Sequence, residues 1–249
     1  DELKKIELNI LLAFHEYCEE KGLRYMLYYG TLLGAVRHQG FIPWDDDVDV
    51  AMPREDYEMF FKWFSSDNSF ENIKLISYRN RSSIYPFVKL IDTRTEVVED
   101  YVNPRYKTGV WIDIFPIDGL PENDYPFKVN RKTLMKYDFT VGDTTKGTTR
   151  FRRVAKRLLT PFFASPDIYR DAAHLDAVAS ETPISPNHDA GIVVWGDGEQ
   201  ERMPYSFLLE RTLLDFEGHL LYGPAQYDNC LTRLYGDYCT LPPEKERKP

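Results

Sequence analysis

Four aspartates fall within five positions in Trp44-Asp45-Asp46-Asp47-Val48-Asp49-Val50, shortly after Gly30-Thr31-Leu32-Leu33-Gly34-Ala35-Val36-Arg37. Such a density of negative charge is costly unless cations or solvent answer it. A strand turns successive side chains to opposite faces, so Asp47 and Asp49 share one face while Val48 and Val50 point into the core. Asp45 has the same parity if the extended geometry reaches back that far. Two carboxylates on one face beside an apolar stripe suit Mg²⁺ or Mn²⁺, hard cations that prefer oxygen ligands and often retain bound phosphates. A bare acidic cluster is more often a solvated loop. The preceding Gly-Thr and the interleaved valines weigh against that here.

Those carboxylates need elements to position them. Residues 25–29, Tyr-Met-Leu-Tyr-Tyr, read as a buried strand. Gly30 permits a sharp turn and close backbone approach, and Thr31 is placed to cap a short helix through Val36. The free N–H groups and positive dipole end at such a helix start form an anion site. Strand, Gly-Thr turn, short helix and Asp-x-Asp strand is the layout of a nucleotidyltransferase palm, in which the turn holds phosphates and the aspartates hold the metal bridging them. Alone, Gly-Thr is most often a plain helix cap. It gains meaning in register with Asp47 and Asp49.

Asp113 is the third carboxylate of interest. In Val110-Trp111-Ile112-Asp113-Ile114-Phe115 it shares a strand face with Trp111 and Phe115, and a carboxylate in so apolar a strand needs a partner. Either an Arg or Lys pairs with it, or it is a third metal carboxylate on a strand beside Asp47 and Asp49, serving the attacking hydroxyl. Arg37 as a planar fork and Lys89 as a point charge are candidates to neutralise phosphates, with surface or ion-pair roles as the alternative. Trp44, Trp111 and the 17 tyrosines supply aromatic faces for a quaternary ammonium, although most must be core. The five histidines are scattered without ligand spacing; His38, beside the Gly-Thr helix, reads as a loop residue.

The chain has 249 residues, 43% hydrophobic and 14% aromatic, ample for a folded core, and a net charge of −9 that argues against a nucleic-acid surface. Three cysteines, Cys18, Cys230 and Cys239, lack zinc spacing and leave one unpaired, which points to a reducing, cytoplasmic setting. No apolar run approaches the roughly 20 residues of a membrane-spanning helix. The charged opening Asp1-Glu2-Leu3-Lys4-Lys5 does not read as a signal peptide.

Apolar spacing predicts a first helix ended near Gly22 and a helix after Pro53. Strands are expected at residues 73–77, 87–91, 96–99 and 110–115, the last closed by Pro116 and an Asp118-Gly119 turn. Helices follow at about 125–139, 149–159 and 167–180. Short strands are expected at 192–195, 213–216 and 219–222, then a helix over about 225–235. The expected fold class is α/β (α+β), a mixed sheet flanked by helices with a mostly helical C-terminal half. One catalytic domain is expected over 1–249, with a core over 1–141 and an acceptor-side part over 142–249.

The segment from Tyr29-Gly30-Thr31 through Gly40-Phe41-Ile42-Pro43-Trp44 to Asp49-Val50 closely resembles the LicD family. Trp111-Ile112-Asp113-Ile114-Phe115-Pro116-Ile117-Asp118-Gly119 and the stretch from Tyr227-Asp228 to Asp237-Tyr238 agree with it. The resemblance implies a nucleotidyltransferase-like fold related to fukutin-related proteins. It implies a phosphotransferase that moves phosphocholine, or another phospho-alcohol, from CDP-choline or another CDP-alcohol. The acceptor is then a sugar hydroxyl of a cell-surface glycan such as teichoic acid or lipopolysaccharide, or of its lipid-linked precursor. Carried over, Asp47, Asp49 and Asp113 hold the metal, and Gly30 and Thr31 form the phosphate turn. Asp45 stands in the matching register. Gln39, where a lysine is common, and Asn229-Cys230, in place of an acidic-aromatic pair, depart from the pattern and leave acceptor choice open.

Two other readings stand beside this one. A bare Asp-x-Asp also binds nucleotide-sugar metals in glycosyltransferases, and a non-catalytic nucleotide- or choline-binding module can sit on the same fold. The Gly-Thr turn disfavours the first and the complete aspartate set the second. Finally, a helix over residues 150–163 would gather Phe151, Val154, Ala155, Leu158 and Leu159 into one stripe, continued by Phe162 if Pro161 permits. Arg150, Arg152, Arg153, Lys156 and Arg157 cover the rest. This is either a core-packed helix or an interfacial one on the anionic cytoplasmic leaflet.

Overall fold

The computed structural model describes residues 2–67, 69–99, 102–143, 150–196 and 198–247. Helix α1 (Glu2–Lys21) buries Ile10, Leu11, Phe14, Tyr17 and Cys18, the stripe its 3.6-residue spacing dictates. It stops at Gly22, whose φ of +66° lets the chain leave the helix without strain on a Cβ. Strand β1 (Met26–Leu27) follows, shorter than the apolar run 25–29, because Tyr28 already caps helix α2 (Tyr29–His38). The loop after α2 carries the aspartates to strand β2 (Asp49–Pro53), and helix α3 (Arg54–Phe64) starts at once.

Strands β3 (Ile73–Ile76), β4 (Val88–Asp92) and β5 (Trp111–Leu120) complete the main sheet in the order β1-β2-β5-β4-β3. Only β2 and β5 run parallel. Helices α1 and α3 meet over the sheet through Phe14 on Phe60 at 5.2 Å and Tyr17 on Phe64 at 5.0 Å, both edge-to-face. The rest of the chain comprises α4 (Tyr125–Val141), α5 (Arg150–Phe163), α6 (Ile168–Ala179), β6 (Asp189–Gly191) and β7 (Met203–Pro204), then a hairpin of β8 (Arg211–Phe216) and β9 (His219–Pro224), and α7 (Tyr227–Tyr235). Strand β6 extends the sheet by pairing with the far end of β5, and the hairpin packs against β1 and α2.

Several expected boundaries move for identifiable reasons. β5 does not stop at Pro116 but runs ten residues to Leu120. The Asp113 N–H donates to Val48 O, just ahead of β2, so odd-numbered amides face β2 and position 116 faces the other way. There β4 has ended and β6 has not begun, so the missing proline N–H costs no ladder bond. Asp118 is therefore a strand residue rather than a turn, held by two bonds from Arg54 at 2.7 and 2.6 Å. The strand expected at 192–195 lies at 189–191 instead, and that at 96–99 reduces to one bridge, Val97 with Thr108. Just past the expected end of the core at residue 141, residues 144–149 lie outside the described residues.

Candidate active site

Asp49 is the first residue of β2 and pairs in register with Asp113 on β5, which in turn pairs with Lys89 on β4. The three side chains thus stand on one rung of the sheet, in the order Asp49, Asp113, Lys89. The main chain of Asp49 is fixed from both sides. Its N–H donates to Thr31 Oγ1 at 2.8 Å, and its carbonyl accepts from the Tyr28 N–H at 3.0 Å. Thr31 is therefore not the cap of α2, as its position first indicates; it lies inside the first turn and anchors the aspartate strand. Val48 and Val50 are fully buried, as the alternation requires.

The start of α2 carries no side-chain cap and no acidic residue in its first turn, which leaves its free N–H groups to an external acceptor. Gly30 is required there. A Cβ at that position would stand 2.5 Å from Asp45 Oδ2, so the glycine lets the Asp45 carboxylate lie against the helix start. Asp45 accordingly occupies the region where an incoming phosphate would meet the dipole. Tyr29, at the same turn, has a φ of +43°, an unfavourable conformation for an aromatic residue. Its hydroxyl donates to Glu201 Oε1 at 2.7 Å and its ring packs edge-on to Phe115, which together hold that backbone in place. Gly34 serves the next turn, where a Cβ would stand 2.4 Å from Gly40 O.

Charge is concentrated at this end of the sheet. Burial first, and then the neighbouring Asp45 and Asp46, push the Asp47 carboxyl up to about 7. Asp49 is pushed well above the usual carboxylate range by burial, then by Asp47 and Asp113. Burial also lifts Asp113, to about 6, against the lowering pull of Lys89. Asp45, raised mainly by burial, shares a carboxyl–carboxyl hydrogen bond with Asp47.

Lys89 is 2% exposed and sits 2.8 Å from Asp113 Oδ1, but aims its hydrogen bond at Oδ2, 3.2 Å away. Oδ1 is left buried without a directed hydrogen bond. The ammonium also lies 4.2 Å from the ring centres of both Tyr85 and Trp111. The two tryptophans considered for a quaternary ammonium are thus engaged by cations of the chain itself, Trp111 by Lys89 and Trp44 by Arg247 at 5.2 Å. Beside Lys89 opens a cavity of about 200 Å³, lined among others by Tyr85, Glu99, Tyr106 and Thr108, whose buried Oγ1 has no hydrogen-bond partner.

Arg37 does not join this group. It lies in the last turn of α2, about 10 Å along the axis from Gly30 at 1.5 Å per residue. Its guanidinium donates to the Tyr238 carbonyl at 2.8 Å, which ties α2 to the C-terminal segment. Three other residues do join the group. Glu7 of α1 is buried with Oε2 unpartnered, and burial followed by Asp47 and Asp46 pushes its carboxyl to about 8. Its signal was an acid within the apolar stripe of the first helix. Tyr235 of α7 is 44% exposed as a residue, while its hydroxyl is raised by burial and then by Asp49 and Asp45. Glu201, buried, reaches the site through Tyr29 and acts on the same hydroxyl. Lys4 positions the aspartate loop from outside, donating to Ile42 O at 2.9 Å and Pro43 O at 3.3 Å.

Among the described residues, no three His, Cys, Asp or Glu side chains converge closely enough to enclose a metal ion. The donor set still suits a hard divalent cation. It is carboxylate only, its members repel one another, and Asp113 keeps one oxygen without a directed bond.

Comparisons with known proteins show the family. Residues 22–151 match the family model described as LicD/FKTN/FKRP, nucleotidyltransferase domain. Over 251 aligned positions the chain is 31% identical to the lipopolysaccharide cholinephosphotransferase LicD of Haemophilus influenzae, covering 97% of this chain and 92% of that protein. A 42-residue stretch is 52% identical to an uncharacterised protein of Rickettsia prowazekii, covering 17% of this chain and 16% of that one. A 38-residue stretch is 55% identical to the human ribitol 5-phosphate transferase FKRP, covering 15% of this chain and 8% of that protein. The chain therefore belongs to the LicD/FKTN/FKRP family of nucleotidyltransferase-domain proteins.

Proposed function

We propose that the protein transfers phosphocholine, or a related phospho-alcohol, from a CDP-activated donor to a sugar hydroxyl of a cell-surface glycan or its lipid-linked precursor. The observation that carries this reading is the rung of Asp49, Asp113 and Lys89 beside the N-terminus of α2, whose N-cap residue makes no side-chain capping bond. It is supported by relatedness along 97% of the chain to a cholinephosphotransferase. Asp47, Asp49 and Asp113 would hold Mg²⁺ or Mn²⁺, which supplies neutralisation of the donor pyrophosphate.

The chain's own groups account for the rest. The N–H groups at Tyr29, Gly30 and Thr31 receive a donor phosphate once Asp45 gives way, and the helix dipole favours its charge. The acceptor oxygen attacks the choline-side phosphorus, the bond from that phosphorus to the bridging oxygen breaks, and CMP departs with the electron pair. Asp113 positions the acceptor hydroxyl or takes its proton. Lys89 steadies the Asp113 carboxylate from the other side, and the cavity beside it gives the acceptor room.

The test is CMP release from CDP-choline, CDP-ribitol and CDP-glycerol, with candidate glycans, in Mg²⁺ and in chelator. Acceptor-dependent release that disappears in Asp49→Asn supports the reading. Release unchanged by that substitution, or transfer from a nucleotide sugar instead, overturns it.

A further inference from the structure

Helix α5 continues through Pro161 to Phe163 and leaves much of its described apolar side-chain surface exposed. Leu158 is 65% exposed and Phe162 82%, with Val154, Leu159 and Phe163 exposed beside them. At its end Phe163 packs against Phe139 of α4 at 5.4 Å. Helix α4, which packs on α5, exposes Lys128, Arg131, Lys132, Met135 and Lys136, and α5 exposes Arg157. In sequence, residues 125–163 carry ten Lys and Arg against two Asp, in a chain whose net charge is −9. Basic residues are therefore enriched on the two-helix segment that also holds these exposed apolar side chains.

We propose that α4 and α5 form a docking surface for an anionic lipid bilayer, with α5 lying in the interface. Leu158 and Phe162 insert among the acyl chains near the headgroups, and the basic residues meet the anionic headgroups. Charge decides among the occupants. Pairing this face with the same face of a second copy would oppose two strongly basic surfaces, whereas an anionic bilayer complements both the charge and the apolar stripe. Among the described residues no helix is long and apolar enough to cross a membrane, so the contact is peripheral. The inference does not rest on the phosphocholine reading, because it concerns binding and not turnover.

The test is flotation of the full chain with phosphatidylcholine vesicles, with and without phosphatidylglycerol, at low and high salt. Binding is expected only to the anionic vesicles and should weaken as salt screens the headgroups. The pair Leu158→Asp with Phe162→Asp should lower the partition coefficient by about tenfold or more, and Lys132→Glu with Arg157→Glu by a similar factor. All four side chains are exposed, so far-UV melts of these variants should match the parent. If the aspartate pair fails that control, Leu158→Ser with Phe162→Ser replaces it. Equal binding to neutral vesicles, no binding to either, or unchanged binding in both pairs of variants overturns the proposal. So does concentration-dependent self-association that the apolar variants abolish while vesicle binding stays intact.

Discussion

Asp113→Asn separates a structural from a chemical role for the third carboxylate. The substitution leaves the Lys89 ammonium, 2% exposed, without its counter-ion 2.8 Å away. Removing one partner of a buried pair costs about 3–5 kcal/mol. Two features reduce that here. The asparagine oxygen can still accept a charge-assisted hydrogen bond, and the Tyr85 and Trp111 faces at 4.2 Å remain, each worth about 0.5–2 kcal/mol. The expected loss is then about 2 kcal/mol, or roughly 4–8 °C in Tm for a chain of this size. Lys89→Met should cost a similar amount, since it strands a buried carboxylate, whereas Lys89→Met with Asp113→Asn removes both charges and should return to within about 1 kcal/mol of the parent. Urea denaturation of the four proteins closes the cycle, with an expected coupling of about 3 kcal/mol. Transfer activity, followed as CMP release, should not return with stability in the double variant. Additive single effects would refute the buried pair. Recovery of turnover together with stability would refute the chemical role and leave Asp113 an ion-pair partner.

Asp47→Asn and Asp49→Asn should each abolish metal-dependent turnover while thermal stability holds or rises, because either change relieves the repulsion that lifts these carboxyls; near-normal activity in either variant would remove the metal assignment. Thr31→Ala deletes the acceptor for the buried Asp49 N–H and should destabilise by about 1–3 kcal/mol, with a drop in kcat that Thr31→Ser rescues. Gly30→Ala places a methyl 2.5 Å from Asp45 Oδ2 and should displace that carboxylate, so donor KM should change more than Tm; an unchanged KM would mean the approach is incidental. Asp176, despite burial, is held below its ordinary value by Arg54 and Arg79, and Glu58 is likewise lowered, chiefly by Arg79. A depressed carboxyl contributes stability above its unfolded pKa of about 4 and loses it as pH falls through the folded value. Asp176→Asn should therefore flatten the acid limb of a urea midpoint–pH profile below about pH 4.

The sheet was legible where local pattern and tertiary environment agree. Alternation placed Val48 and Val50 in the core, and helical spacing with a terminal glycine placed α1 through Lys21. It failed where a partner strand decides. Pro116 reads as a strand end, and nothing local reveals that its amide would face the gap between β4 and β6. Asp118-Gly119 has turn chemistry, yet Arg54 draws Asp118 into the sheet, and Gly119 leaves room for the backbone at 182–183, whose oxygens would crowd any Cβ. A sequence window of a few residues contains neither Arg54 nor that passing chain.

The site shows the same division more sharply. The pairing of Asp49 with Asp113 was foreseeable because each sits on a strand whose apolar neighbours fix its face, and adjacency of the strands does the rest. Lys89 was foreseeable as a cation with an ion-pair role among its readings, and it pairs with Asp113. Its place on the same rung follows from the register of β4, which sequence spacing does not specify. Glu7 and Tyr235 are harder still, since α1 and α7 lie near opposite ends of the chain and meet the aspartates only after the sheet and both helices have docked. Glu7 did leave a trace, an acid where the helical stripe demands an apolar residue. Such a residue is tolerated when something other than packing uses it, and here it adds a further carboxyl to a cluster already short of positive charge. Lys89 is one buried cation against that set. That imbalance is the physical ground for proposing an external cation at the aspartate end of the sheet.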